Sequence, residues 1–208
     1  MKNLSKLISK DLIVGLLKLK FQKDKICEAC QKGKQVKYSF KSKNVTSTSK
    51  HLELLYMDLY GLSRTKSFWG NYYALVIVDD YSRYTWIFFL TLKSETLKAF
   101  KKFSKVIQNE KYLKIKVLRS DHGSEFQNKS FETFSEENRI SHDFSTLRTP
   151  QQNGVVERKN KSLKELGRTK LNESDVPQYF WVDVVSASCY VLNRLLKIYF
   201  KSHPLRTF

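Results

Sequence analysis

Leu52-Glu53-Leu54-Leu55-Tyr56-Met57-Asp58-Leu59-Tyr60-Gly61 is an apolar run with one carboxylate inside it. Its length and its close by glycine read as a β-strand. Asp58 needs a reason, because burying an unpaired charge is costly. Two more runs of the same kind follow, Tyr72–Val78 and Thr85–Leu92. Turn material lies between them: Gly61 and Gly70-Asn71 in the first gap, Asp79 to Arg83 in the second. Such short connections predict an antiparallel meander. Asp79 and Asp80, in the second gap, are expected to form the turn or to pair with Arg83.

Beyond the meander the period changes. Ser94 is placed to cap a helix reaching about Gln108, with Leu97, Phe100, Phe103 and Ile107 on its inner face. A strand over 115–120 follows, and a helical crossover between strands favours parallel pairing. A short helix over about 130–138 turns Phe131 and Phe134 inward, and Ile140–Ser145 makes a fifth strand. Glu157 to about Leu171 is rich in helix formers. A last, strongly apolar helix covers about Gln178–Leu195; Phe180, Trp181 and Cys189 are expected in its core. The fold class that results is α/β, a mixed five-stranded sheet flanked by helices.

The chemistry gathers at three acids. Asp121 ends the strand over 115–120 and opens the loop Asp121-His122-Gly123-Ser124-Glu125-Phe126. Glu157 follows with 35 residues between, after Thr149-Pro150-Gln151-Gln152-Asn153-Gly154. Near the start of a helix it would lean back over that loop. Lys161 and Lys164 stand at i+4 and i+7 on its face. Three carboxylates from two strands and a helix, Asp58, Asp121 and Glu157, can share two divalent cations that relieve their repulsion. An exposed ion-paired helix is the simpler account of Glu157 taken alone. Glu125 and His122 are secondary candidates in the same loop.

The net charge is +18 over 208 residues, and residues 1–50 hold 13 lysines against three acids. Such an excess predicts a polyanionic partner, most simply DNA or RNA held through its phosphates. Lys159, Lys161 and Lys164 are backbone-contact candidates, and Gln151, Gln152 and Asn153 would face a nucleic-acid end. Leu12–Leu17 is only six residues long and is followed by Lys18, so no signal peptide or membrane span is read. Residues 1–26 look like short amphipathic helices, Gln31–Lys50 like a basic linker, and the main domain starts near His51. Cys27 and Cys30 have the spacing of half a tetrahedral zinc site.

These motifs together resemble the integrases of copia-type long-terminal-repeat retrotransposons, within the retroviral integrase superfamily. The resemblance rests on Cys27-Glu28-Ala29-Cys30, Met57-Asp58-Leu59, Val78-Asp79-Asp80-Tyr81-Ser82-Arg83, Arg119-Ser120-Asp121-His122-Gly123-Ser124-Glu125-Phe126, Arg148 to Asn160, and Tyr179-Phe180-Trp181 with Asn193-Arg194. It implies a ribonuclease-H-like fold and metal-dependent phosphoryl transfer that joins element DNA 3′-ends into host DNA. It puts the catalytic, Mg²⁺- or Mn²⁺-holding set at Asp58, Asp121 and Glu157. DNA, further copies of the chain and a nuclear location are the implied partners and place. Residues 1–50 then read as the remnant of a zinc-binding module plus linker, and 51–208 as the catalytic core. The family's histidine pair has no counterpart ahead of Cys27, since the four histidines are His51, His122, His142 and His203. Little zinc binding is therefore expected at Cys27 and Cys30, and the chain reads as a fragment truncated at both ends. The alternatives are a nuclease without strand transfer and a non-catalytic nucleic-acid-binding remnant.

Overall fold

The computed structural model of the chain describes residues 48–61, 65–145 and 153–202, with side chains as far as Leu195. The expected N-terminal helices, Cys27, Cys30, Gln151, Gln152 and His203 lie outside the described residues. Strands β1 (Leu54–Gly61), β2 (Tyr73–Asp79) and β3 (Thr85–Leu90) form the antiparallel meander. Helix α1 (Thr96–Lys111) crosses over to β4 (Val117–Ser120), which pairs parallel to β1. Helix α2 (Lys129–Glu137) then leads to β5 (Ser141–Phe144), parallel to β4. The sheet order is β3-β2-β1-β4-β5, followed by helices α3 (Gly154–Glu173) and α4 (Trp181–Ser202).

Both faces of the sheet are covered, so β2 is a continuous apolar run rather than an alternating one. On one face Leu55, Met57, Leu75 and Ile77 pack with Phe100, Phe103 and Ile107 of α1 and Phe131 of α2. On the other, Leu54, Tyr56, Tyr60, Val76 and Val78 meet Val156 and Leu163 of α3 and Trp181, Val185 and Cys189 of α4. Trp181 and Cys189 are core, as their apolar neighbours imply, and Phe180 is half-buried against Phe68.

Ser94 does not cap α1. It lies within a single 3₁₀ turn, Lys93–Glu95, and Glu95 takes the N-cap position of α1 without a side-chain cap bond, its carboxylate reaching back to accept the backbone N–H groups of Thr91 and Leu92 ahead of that turn at 2.8 and 3.0 Å. A carboxylate satisfies two free N–H groups at once, where a serine hydroxyl would take one.

Asp79 and Asp80 are both fully buried and have structural partners. Asp79 accepts from Leu52 N, Ser82 N, Ser82 Oγ and His51 Nδ1 at 3.0, 3.0, 2.6 and 3.0 Å. It thereby ties the segment ahead of β1 to the β2–β3 turn. Asp80 pairs with Arg83 at 3.1 Å and accepts from Thr48 Oγ1.

Candidate active site

Strand register brings the first two acids together. Tyr56 of β1 pairs with Arg119 of β4. Two residues further along each parallel strand stand Asp58 and Asp121, side by side at the end of β4. Strand alternation puts Asp58 on the same face as Tyr56 and Tyr60, under α3. Burial, and then the charge of Asp121, push the Asp58 carboxyl up to about 6. Asn160 and Lys164 of α3 oppose that rise, Asn160 by donating its side-chain amide to Asp58 Oδ2 at 2.5 Å.

Helix α3 begins earlier than its composition implies. Asn153 takes the N-cap position and Gly154 is the first helical residue, so Glu157 falls in the first turn. The positive end of the helix favours a carboxylate there. Glu157, Asn160, Lys161, Lys164 and Arg168 recur at helical spacing and, with Asp58, line one open cleft of about 470 Å³. Lys164 lies over the Tyr60 ring at 4.4 Å, and burial lowers its pKa.

The loop after β4 is built on close approaches. Gly123 N donates to Asp121 Oδ1 at 3.1 Å. A Cβ on Gly123 would stand 2.8 Å from the Glu125 carboxyl carbon and 3.1 Å from Asp121 Oδ1, so any larger residue would displace those side chains. Glu125 is not a solvated loop acid: its side chain is 8% exposed and faces Lys93 at 3.6 Å. His122 stacks on Phe144 of β5 with centroids 5.2 Å apart. His142 of β5 lies between Phe131 and Phe144 and contacts Ser120 Oγ through Nε2 at 2.9 Å. Burial pushes the His142 imidazole down to about 4, so it is neutral at pH 7.

Asp58 and Asp121 offer hard oxygen donors whose mutual repulsion a divalent cation would relieve, and Glu157 opens onto the same cleft. That chemistry fits Mg²⁺ or Mn²⁺. Among the described residues, no three His, Cys, Asp or Glu side chains already stand close enough to cage an ion.

Residues 49–150 match the integrase core domain family. The match includes Asp58 and Asp121 and ends ahead of Glu157. The chain is 35% identical over 170 residues to a retrovirus-related Pol polyprotein from transposon TNT 1-94 of Nicotiana tabacum, covering 82% of this chain. It is 34% identical over 169 residues to the corresponding polyprotein from transposon RE2 of Arabidopsis thaliana, covering 81% of this chain. The chain belongs to the integrase core family. It spans only 13% and 11% of the length of those two polyproteins.

The fold agrees. The HTLV-2 integrase catalytic core domain in complex with magnesium (dimeric form) superposes with a TM-score of 0.52 at 22% identity, over 70% of this chain and 88% of that one. A simian T-cell lymphotropic virus intasome in complex with PP2A regulatory subunit B56 gamma gives 0.54 at 19% identity, over 69% of this chain and 49% of that one. The ribonuclease-H-like architecture that the resemblance implied is the fold of these integrase cores, and the mixed five-stranded sheet expected from the element order is the one observed.

Two expected DNA contacts sit elsewhere. Lys159 is half-buried, with Cys189 and Arg83 as its electrostatic neighbours, because its position on α3 turns it towards α4 and away from the cleft. Asn153 is buried at the start of α3 rather than displayed on a loop. Sequence reading missed Asn160 and Arg168, although both stand at helical spacing from Glu157. It also missed the contact between His142 and Ser120, which no local pattern announces.

Proposed function

We propose that this integrase core carries out divalent-metal-dependent phosphoryl transfer, joining element DNA 3′-ends to host DNA. Asp58, Asp121 and Glu157 are the carboxylates that would hold Mg²⁺ or Mn²⁺. The observation that carries the reading is the parallel register of β1 and β4, which sets Asp58 beside Asp121 beneath the start of α3. Bound divalent cations supply nucleophile activation and stabilisation of the leaving oxygen. Asn160 holds the Asp58 carboxylate in one orientation. Lys161, Lys164 and Arg168 give the cleft the positive wall that a phosphate backbone requires. Strand transfer needs two DNA ends and a target held together, so further copies of the chain are part of this reading, and the nucleus is the compartment it implies.

The test is Mn²⁺-dependent turnover of a branched DNA that arrives already assembled, with joined and merely cut products separated. The unmodified chain should convert it, and Asp121→Asn and Glu157→Gln should not. Products that are only cut would favour a nuclease. Turnover that persists in both variants would remove these acids from the reaction.

A further inference from the structure

Asp121 is the first residue past the end of β4, and something other than the strand ladder must hold it. The β4–β5 ladder closes with Ser145 N donating to Ser120 O at 2.9 Å. The next carbonyl along, that of Asp121, instead receives the side-chain hydroxyl of Ser120 at 2.9 Å. The same hydroxyl is 2.9 Å from His142 Nε2. One proton arrangement satisfies both contacts: Ser120 donates to the Asp121 carbonyl and accepts from the Nε2–H of a neutral His142. Ring contacts fix the imidazole, with Phe144 at 4.2 Å on one side and Phe131 at 5.1 Å on the other.

We propose that His142 and Ser120 form a hydrogen-bonded relay that positions Asp121 for metal binding, running from a strand that carries none of the three acids. The inference rests on the reading of Asp121 as a metal-holding carboxylate. The relay fixes the peptide plane that follows Asp121, while Gly123 N–H fixes its carboxylate from the other side. Strand pairing does not depend on it, since Leu118 pairs with His142 and Ser120 with Phe144 through the backbone. Partners that orient a metal-binding side chain usually alter metal affinity by about 10–100-fold when removed.

The test is a Mn²⁺ titration of the full 208-residue chain, read by the paramagnetic resonance of free Mn²⁺, with melting temperature recorded for every variant. Gln places an N–H where His carries Nε2, whereas the shorter Asn side chain does not reach it. Ser120→Ala and His142→Asn should each weaken the Asp121-dependent binding by about tenfold. His142→Gln should bind within roughly threefold of the unmodified chain, and the double variant Ser120→Ala/His142→Asn should be no weaker than the weaker single, because both act on one relay. Should His142→Asn fail to fold, Ser120→Ala alone and combined with His142→Gln decides the matter: both should bind equally weakly. Unchanged Mn²⁺ affinity in folded Ser120→Ala overturns the proposal, as does His142→Gln binding as poorly as His142→Asn. If the unmodified chain shows no Mn²⁺ binding that Asp121→Asn abolishes, the metal reading of Asp121 fails first and takes this inference with it.

Discussion

Replacing Asp58 by Asn should stabilise this chain at neutral pH, and the gain should vanish in acid. Folding carries the Asp58 carboxyl from its ordinary 3.8 to about 6, through burial and the charge of Asp121. The folded state thus holds that proton more tightly than the unfolded chain. The resulting stability is complete below about pH 4 and is lost as the pH rises through 6. That rise from 3.8 to about 6 corresponds to roughly 3 kcal/mol at pH 7. Asn is neutral, has nearly the same volume, and keeps an oxygen for the Asn160 amide. Urea unfolding of both chains should show Asp58→Asn ahead by roughly 2–3 kcal/mol at pH 7, with the gap narrowing towards pH 4. Groups not coupled to Asp58 cancel in the difference, whereas its neighbours Asp121 and Lys164 do not. Saturating Mg²⁺ should stabilise the unmodified chain and leave the variant nearly unmoved, because a ligand that binds only the folded state adds stability by mass action. A gap below roughly 0.5 kcal/mol at pH 7, or one that widens in acid, would refute the account of Asp58 as a strained carboxylate.

Gly123→Ala should weaken Mn²⁺ binding and branched-DNA turnover with little change in melting temperature, since the added Cβ presses on the Asp121 and Glu125 side chains and not on the core; unaltered turnover would show that the loop yields freely. Asp79→Ala should cost about 3–5 kcal/mol in urea unfolding, because four donors lose their shared acceptor. A loss under roughly 1 kcal/mol would mean that water replaces the carboxylate. Leu163→Ala, at the contact of α3 with the sheet, should cost about 2–5 kcal/mol, measured the same way. DNA affinity measured by anisotropy should fall steeply with salt, and deleting residues 1–47 should flatten that slope; an unchanged slope would mean those lysines do not touch phosphate.

Much of the architecture was legible because it rests on local physics. The change from short apolar runs to helical spacing after Leu92 identified the meander and α1, and the α1 crossover implied a parallel pairing for β4. Asp58 stood out because a carboxylate in an apolar strand has to be explained, and Asp121 because it ends a strand and opens a glycine-bearing loop. Where two residues could take the cap position, as with Ser94 and Glu95, composition could not choose, since the answer depended on where the 3₁₀ turn hands over to the helix.

What the sequence by itself determined was therefore the set of elements in the described core and their order, and it nominated the three acids. The tertiary structure alone decided which side chains share a space. Register, a property of two strands, set Asp58 beside Asp121. The rotation of α3 on the sheet turned Lys159 towards α4 and placed Asn160 on Asp58. The β4–β5 pairing brought His142 against Ser120, 22 residues away in sequence. Local preferences act over one or two turns of chain, whereas these contacts come from how the whole sheet and its helices exclude water, and no short stretch encodes that.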